Sequence, residues 1–220
     1  MAKVTIFVEG ISDKIFIRAF VSHHYNIDLI VEDKQKAPLI GDIISLGGKS
    51  KLEDAQVILE MKKQIGYTNL LILDADNPEK NAGFEKVKSE ITNIIEQKNL
   101  AIDDFFLFPN HQDDGDLEDL LIQTVNPKNQ VIFDCWKAYE SCLQDIKIEG
   151  RTETLTTPIK KAQIEAYLSA LLNNSNKQQK KAKVINRDYQ NKDHWNLDTE
   201  ALNPLKQFFD KYFHKQNEAK

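Results

Sequence analysis

Residues 4–13 read VTIFVEGISD, an apolar run that stops abruptly at a carboxylate. The first five of these residues are β-branched or aromatic and predict a buried strand. Glu9 and Gly10 follow at once, and Ser12 is placed as the cap of a helix that we expect to extend to about Val21. A buried strand that ends in a glutamate, just before a glycine and a helix, draws attention to the chemistry at this strand end.

The rest of the first half repeats this alternation of short apolar runs and amphipathic segments. The predicted strands are residues 3–8, 27–31, 40–46, 70–73 and 105–108. The predicted helices are residues 12–21, 52–65, 84–98, 116–125, 130–143, 158–172 and 204–214. The order of these elements predicts an α/β fold, with a mostly parallel sheet flanked by helices and a helical C-terminal extension. We therefore expect an α/β domain over residues 1–126 and a helical region over residues 127–220 packed on it.

Composition excludes some classes of protein. The chain has 220 residues and a net charge of -5, which argues against a broad basic surface for nucleic acid but not against an acidic active site. No apolar run approaches the roughly 20 residues that span a bilayer, and the first residues lack the pattern of a signal peptide. We expect Cys135 and Cys142, the two cysteines, to be reduced, partly buried thiols in a cytoplasmic protein that has no membrane association.

Acidic side chains follow several of the predicted strands. Glu9 ends the first strand, and Asp74 and Asp76 come directly after the run LLIL. Ligands of open α/β sheets bind beyond the carboxyl ends of the strands, and carboxylates that converge there repel one another unless a cation neutralises them. The Asp-x-Asp sequence alone is equally compatible with ordinary turn chemistry. With Glu9 nearby, the pattern favours a site for Mg²⁺ or Mn²⁺.

Two other stretches have competing interpretations. Gly47, Gly48 and Lys49 lie at another strand end and could contact a phosphate, although a tight turn into a helix explains them equally well. Their spacing does not match a Walker A loop. His23, His24 and His111 are candidate ligands, but surface or partly buried roles explain them better.

The order of these motifs is similar to that of a known domain. The stretches VEGISDKIF (8–16), SLGGKSKL (45–52) and LLILDADNPEKN (70–81) resemble the Toprim domain, over about residues 3–125. The stretches FPNHQDDGDLEDLL (108–121) and HWNLDTEALNPLKQFF (194–209) resemble an uncharacterised Toprim-like family related to the OLD-family nucleases. No Walker motif precedes the domain, so the resemblance does not extend to a full-length OLD protein.

The resemblance implies a set of metal ligands. Glu9 matches the glutamate that follows the first strand of a Toprim domain, and Asp74 and Asp76 match its Asp-x-Asp sequence. Glu118, in GDLEDLL, matches the acid that supports a second metal in the OLD-like group, with Asp116 as the second choice. Mg²⁺ or Mn²⁺ is the implied cofactor.

The resemblance also implies an activity, namely two-metal hydrolysis of phosphodiester bonds in DNA or RNA. Glu9 would bind metal or act as the general base, and Lys161 would stabilise charge on the phosphate, with Lys160 almost as good a candidate. Two alternatives stay open. The chain could be a non-catalytic module that binds nucleic acid, a protein partner or a second copy of itself, or it could be a small-molecule phosphohydrolase.

Overall fold

The computed structural model describes residues 3–30, 42–173 and 175–213. The strands are β1 (Val4–Val8), β2 (Ile43–Ser45), β3 (Thr68–Asp74) and β4 (Asp104–Phe108). The α-helices are α1 (Ile11–Tyr25), α2 (Gln56–Gln64), α3 (Phe84–Lys98), α4 (Leu117–Gln123), α5 (Gln130–Asp145), α6 (Lys160–Leu171), α7 (Asn176–Gln179) and α8 (Asn203–Asp210). Over these described ranges, none of the helices has both the length and the apolar character needed to cross a membrane.

The four strands form one parallel sheet in the order β2-β1-β3-β4. The sheet is flanked by helices and followed by a helical C-terminal region, which confirms the predicted α/β architecture. After β1 the chain adds β2 on one side and then returns to place β3 on the other side, with Val8 opposite Ile72. The order therefore reverses between β1 and β3, and such a reversal opens a crevice at the carboxyl ends of the two strands.

Both faces of the sheet are covered, which explains why its strands are apolar throughout. Successive side chains of a strand point to opposite faces. Ile6 and Val8 accordingly pack in a cluster with α1, α4, α6 and α8, while Phe7 packs in a second cluster with α2 and α3. The first cluster includes Trp195 and Phe209, so the C-terminal region supplies much of the cover on that face.

The first helix differs from the prediction at both ends. Gly10, not Ser12, is the N-cap of α1, because the carboxylate of Asp13 accepts the Gly10 N–H at 2.6 Å. Ser12 therefore lies inside the first turn. The helix also continues past Val21 to Tyr25, and burial of both side chains in the core favours this extra turn.

The segment between α1 and α2 also departs from prediction. Residues 27–30 do not form a strand; instead Ile30 exchanges hydrogen bonds with Asp42, whose carboxylate accepts the Ile30 N–H at 3.0 Å. The strand predicted at 40–46 is shorter, at Ile43–Ser45, and residues 31–41 lie outside the described part of the chain. The helix predicted from Leu52 becomes a regular α-helix only at Gln56, after two 3-10 turns.

The prediction that the two cysteines are partly buried was wrong. Cys135 and Cys142 are free thiols on the exposed side of α5. This 16-residue helix has one fully buried side chain, Phe133, because it lies on the outside of the molecule against α6. Periodicity identified the helix, but it could not show how much of the helix a neighbour covers.

Candidate metal and phosphate site

Four acids and a lysine line one cleft of about 400 Å³ at the point where the strand order reverses. They are Glu9 after β1, Asp13 in α1, Asp74 at the end of β3, Glu118 in α4 and Lys161 in α6. The structure thus brings together six residues selected from the sequence, namely Glu9, Asp74, Glu118 and Lys161 with Gly47 and Gly48, although they lie up to about 150 positions apart. Asp13 is the addition.

Asp74 is held in place by the helix that follows β4. Its Oδ1 accepts the N–H of Leu117, the first residue of α4, at 2.9 Å. Burial raises the pKa of Asp74 well above its usual value, and the negative charges of Asp13 and Glu9 raise it further. A carboxylate whose ionised form is disfavoured by burial and by like charges is one that a bound cation would stabilise strongly.

Asp13 is the site residue that sequence reasoning missed. It is 6% exposed, and its pKa is raised to about 6, chiefly by burial and further by the charges of Glu9 and Glu118. Its position beside Ser12 at the start of a helix favours a helix-capping role, and in the structure its carboxylate does accept the Gly10 N–H. The signal was available, however, since a residue in the first turn after a strand-end glutamate must lie close to that glutamate.

Glu118 has the smallest exposed fraction of the four acids in the cleft, at 4%. Among the described residues its Oε1 has no hydrogen-bond partner, and the nearest cation is Lys161, with Nζ at 3.8 Å. Burial raises the pKa of Glu118, and the charge of Lys161 opposes this rise. Buried carboxylate oxygens are normally satisfied, so this oxygen is available to a ligand.

Asp116 and Lys160, the second choices for the metal and phosphate roles, are engaged elsewhere. Asp116 caps α4 in a reciprocal pair with Asp119: each carboxylate accepts the other residue's N–H, at 3.2 and 3.0 Å. Lys160 lies 2.5 Å from the Asp119 carboxylate and 3.5 Å from that of Asp116. These contacts stabilise the start of α4 and so help to place Glu118. Both residues line a second cleft of about 350 Å³ that adjoins the first.

Asp76 does not join the other acids. Its backbone adopts the left-handed region, with φ 57°, and its N–H and carbonyl pair with Gly115. Its carboxylate lies 2.7 Å from Lys80 and lines neither of these two clefts. The Asp-x-Asp sequence therefore places one carboxylate in the cleft and the other in an ion pair outside it.

The glycine loop lies beside Glu9. Gly47 and Gly48 line the cleft, but both of their N–H groups donate to the Glu9 carbonyl, at 3.0 and 3.1 Å. Lys49 points to Glu90 of α3, with Nζ 3.4 Å from the carboxylate. In this arrangement the two glycines hold the backbone of Glu9, and their amides are not free to bind a phosphate.

The acids of the cleft line one opening but do not form a compact group of three. Within the described ranges, no three carboxylates offer one oxygen each within 4.8 Å of one another. Like charges in a partly buried site separate in this way. A cation bound here would draw the oxygens inward, and the side chains of Glu9 and Glu118 have the rotatable bonds to follow.

Comparison with known proteins gives a family but no activity. No curated protein and no solved structure matches the chain. A family model described as "Protein of unknown function (DUF3226)" matches residues 3–214, which is nearly the whole sequence. The chain therefore belongs to the DUF3226 family.

Proposed function

We propose that this protein is a Toprim-type nuclease that hydrolyses phosphodiester bonds with the help of Mg²⁺ or Mn²⁺. The observation that carries the proposal is the convergence of Glu9, Asp74, Glu118 and Lys161 on one cleft between β1 and β3. Glu9, Asp74 and Glu118 were selected from the sequence by their match to Toprim or OLD-like motifs, and Lys161 as a candidate for the lysine that the resemblance implies C-terminal to these acids. Nucleic acid is the proposed substrate and the cytoplasm the proposed location.

The residues of the cleft fit a hard divalent cation. The available donors are carboxylate oxygens, the ligands that Mg²⁺ and Mn²⁺ prefer. Glu118 Oε1, which has no hydrogen-bond partner among the described residues, and the raised pKa values of Asp13 and Asp74 fit the same interpretation, because a cation would remove the cost of charging these groups. Asp74 and Glu118 would hold the cation, with Glu9 as a third ligand or as the base. When bound, the cation supplies charge neutralisation at the phosphate and a more acidic water.

Glu9 and Lys161 have the properties that their roles require. Glu9 lines the cleft on the partly exposed end of β1, where its carboxylate can take a proton from an attacking water. Lys161 has 58% of its side chain exposed and pairs only loosely with Glu118. It is therefore free to turn toward a phosphate and offset the charge that develops there.

A nuclease assay tests the proposal directly. Plasmid, single-stranded DNA and RNA are incubated with the protein in Mg²⁺, in Mn²⁺ and in EDTA. We expect cleavage with a divalent cation, none in EDTA, and a loss of at least about 100-fold in Glu9→Gln. Glu79→Gln, an exposed acid near Asp76, is the matched control and should cleave as the wild type does. Full activity in Glu9→Gln would remove that residue from the mechanism.

Calorimetry separates the nuclease from a non-catalytic binding module. Wild-type protein should bind Mn²⁺, and Asp74→Ala should bind it at least about tenfold more weakly. An absence of Mg²⁺ and Mn²⁺ binding would favour the binding module. Cation binding with no cleavage of any polymer, together with release of phosphate from a nucleotide, would favour the small-molecule phosphohydrolase.

A further inference from the structure

A second group of ligand atoms lies away from the acidic cleft. Within the described ranges, His23, His24 and Asp198 are the one set of three whose ligand atoms all come within 4.8 Å of one another. The two histidines are in the last turn of α1, and Asp198 lies in the loop that precedes α8. We propose that these three residues form a Zn²⁺-class transition-metal site.

The hydrogen bonds of the cluster already orient the two imidazole rings. His24 Nε2 lies 3.0 Å from the carbonyl oxygen of Leu197, and a carbonyl can only accept, so this nitrogen carries the hydrogen. In the neutral ring the lone pair is then on Nδ1. A metal-binding histidine usually donates its other N–H to a carbonyl or a carboxylate in just this manner.

His23 and Asp198 provide the two other donors. His23 Nε2 lies 2.9 Å from Asp198 Oδ1, so one divalent ion could replace the shared hydrogen with only a small movement apart. The loop that holds Asp198 is itself ordered by a local bond, in which the Asp198 N–H donates to Asn196 Oδ1 at 3.1 Å. The carboxylate is thus presented by a structured turn.

The donor set indicates the class of metal. Two imidazole nitrogens and one carboxylate oxygen suit Zn²⁺, or Co²⁺ and Ni²⁺ as probes, and do not suit Mg²⁺, which binds oxygen. Three protein ligands leave room for water in the fourth position. The side chain of Asp198 is 70% exposed, and a cleft of about 150 Å³ beside it is also lined by His23 and Asn196, so water has access.

This site is separate from the acidic cleft. The two cleft linings have no residue in common. A metal at His23, His24 and Asp198 would join the end of α1 to the loop before α8, and so would attach the C-terminal region to the helix that covers the sheet. The inference does not depend on the proposed nuclease activity.

Zinc titration of the full-length protein at pH 7.5 tests the proposal. With excess Mg²⁺ present to occupy the acidic cleft, we expect one equivalent of Zn²⁺ to bind by calorimetry and to raise Tm, and Co²⁺ at the same site to give visible absorption bands. Affinity should fall at least about tenfold in His24→Gln, in His23→Gln and in Asp198→Asn. His194→Gln, a half-buried histidine outside the cluster, is the matched control and should bind as the wild type does.

Asp74→Asn distinguishes this site from the acidic cleft. If the proposal is right, this variant keeps its equivalent of Zn²⁺. Loss of the zinc in Asp74→Asn with retention in His24→Gln would assign the metal to the acidic cleft and overturn the proposal. So would a wild-type protein that binds no Zn²⁺, because the three residues would then be a hydrogen-bonded clamp only.

Discussion

Burial of Asp13 beside other acids lowers the stability of the folded protein at neutral pH. The pKa of Asp13 is about 6 in the folded protein, whereas its ordinary value is 3.8; burial is the main cause of the rise. Between about pH 4 and pH 6 the folded chain therefore binds more protons than the unfolded chain, and stability falls as the pH rises through this window. Above pH 6 the full cost is present, on the order of 3 kcal/mol.

The variant Asp13→Asn should remove this cost. Measured in EDTA by urea unfolding, it should match the wild type near pH 4 and exceed it by up to about 3 kcal/mol at pH 7. Its amide oxygen can still accept the Gly10 N–H, so the start of α1 is preserved. A difference between the two proteins that does not change with pH would contradict the argument.

Addition of Mn²⁺ extends the same experiment to the proposed site. A cation held beside Asp13 favours the ionised form, so the advantage of Asp13→Asn at pH 7 should shrink or reverse in the presence of Mn²⁺. If the difference in the free energy of unfolding between Asp13→Asn and the wild type were the same with and without Mn²⁺, no cation in the cleft would interact with Asp13.

For single residues, the sequence predicted which positions lie near the cleft better than it predicted which way their side chains point. Glu9, Asp74 and Glu118 were found because strand ends meet at one edge of a parallel sheet and because their motifs match known ones. Asp76 was included on the same grounds, but the left-handed backbone at this residue turns its carboxylate to Lys80. A φ angle set by pairing with Gly115 depends on tertiary structure, so residue spacing could not predict it.

At the scale of elements, loops from distant parts of the chain hold the helices around the cleft. The N-cap of α3 is Gly83, which has no side chain to offer. Asp114 supplies the capping hydrogen bond instead, because its Oδ1 accepts the N–H of Phe84 at 2.6 Å. The acidic residues of the run 113–119 stabilise the starts of two helices, and of these residues only Glu118 lines the acidic cleft.

Asp114→Ala should therefore destabilise the protein although it removes an acid from an acidic loop. The loss of this cap should cost about 1 kcal/mol in urea unfolding. Asp113→Ala is the matched control, because Asp113 is exposed and contacts only the side chain of Asn110 in its own loop among the contacts that the structure shows. It should change stability by less than about 0.5 kcal/mol. Equal effects of the two substitutions would mean that the cap contributes nothing.

Element boundaries were predicted best where one segment contained all the information. The limits of α3 agree with the sequence pattern, since its apolar face and its flanking glycine are local features. The end of α1 and the position of α5 were less predictable. In α1 the burial of Tyr25 against α8 adds a turn, and in α5 the lack of a covering neighbour leaves the cysteines exposed.

At the scale of the molecule, one apolar cluster crosses the predicted boundary at residue 126. It contains Phe20 and Tyr25 of α1 together with Phe209 of α8, with ring centroids 5.8 Å apart for Phe20 and Phe209 and 6.5 Å for Tyr25 and Phe209. The Tyr25 hydroxyl also donates to Asp210 at 2.8 Å. The C-terminal region therefore completes the cover of the sheet on this face.

This continuity predicts that the sheet and the C-terminal helices unfold together. Phe209→Ala should lower the free energy of unfolding by about 3–5 kcal/mol, because it opens a cavity in the shared core. Amide hydrogen exchange, followed by mass spectrometry, should then show equal loss of protection in β3 and in α8, since both exchange through the same global opening. Val57→Ala, at an exposed position on α2, is the control and should leave both protected. If Phe209→Ala exposed α8 while β3 kept its protection, the C-terminal region would be a separate unit docked on a sheet that is stable without it.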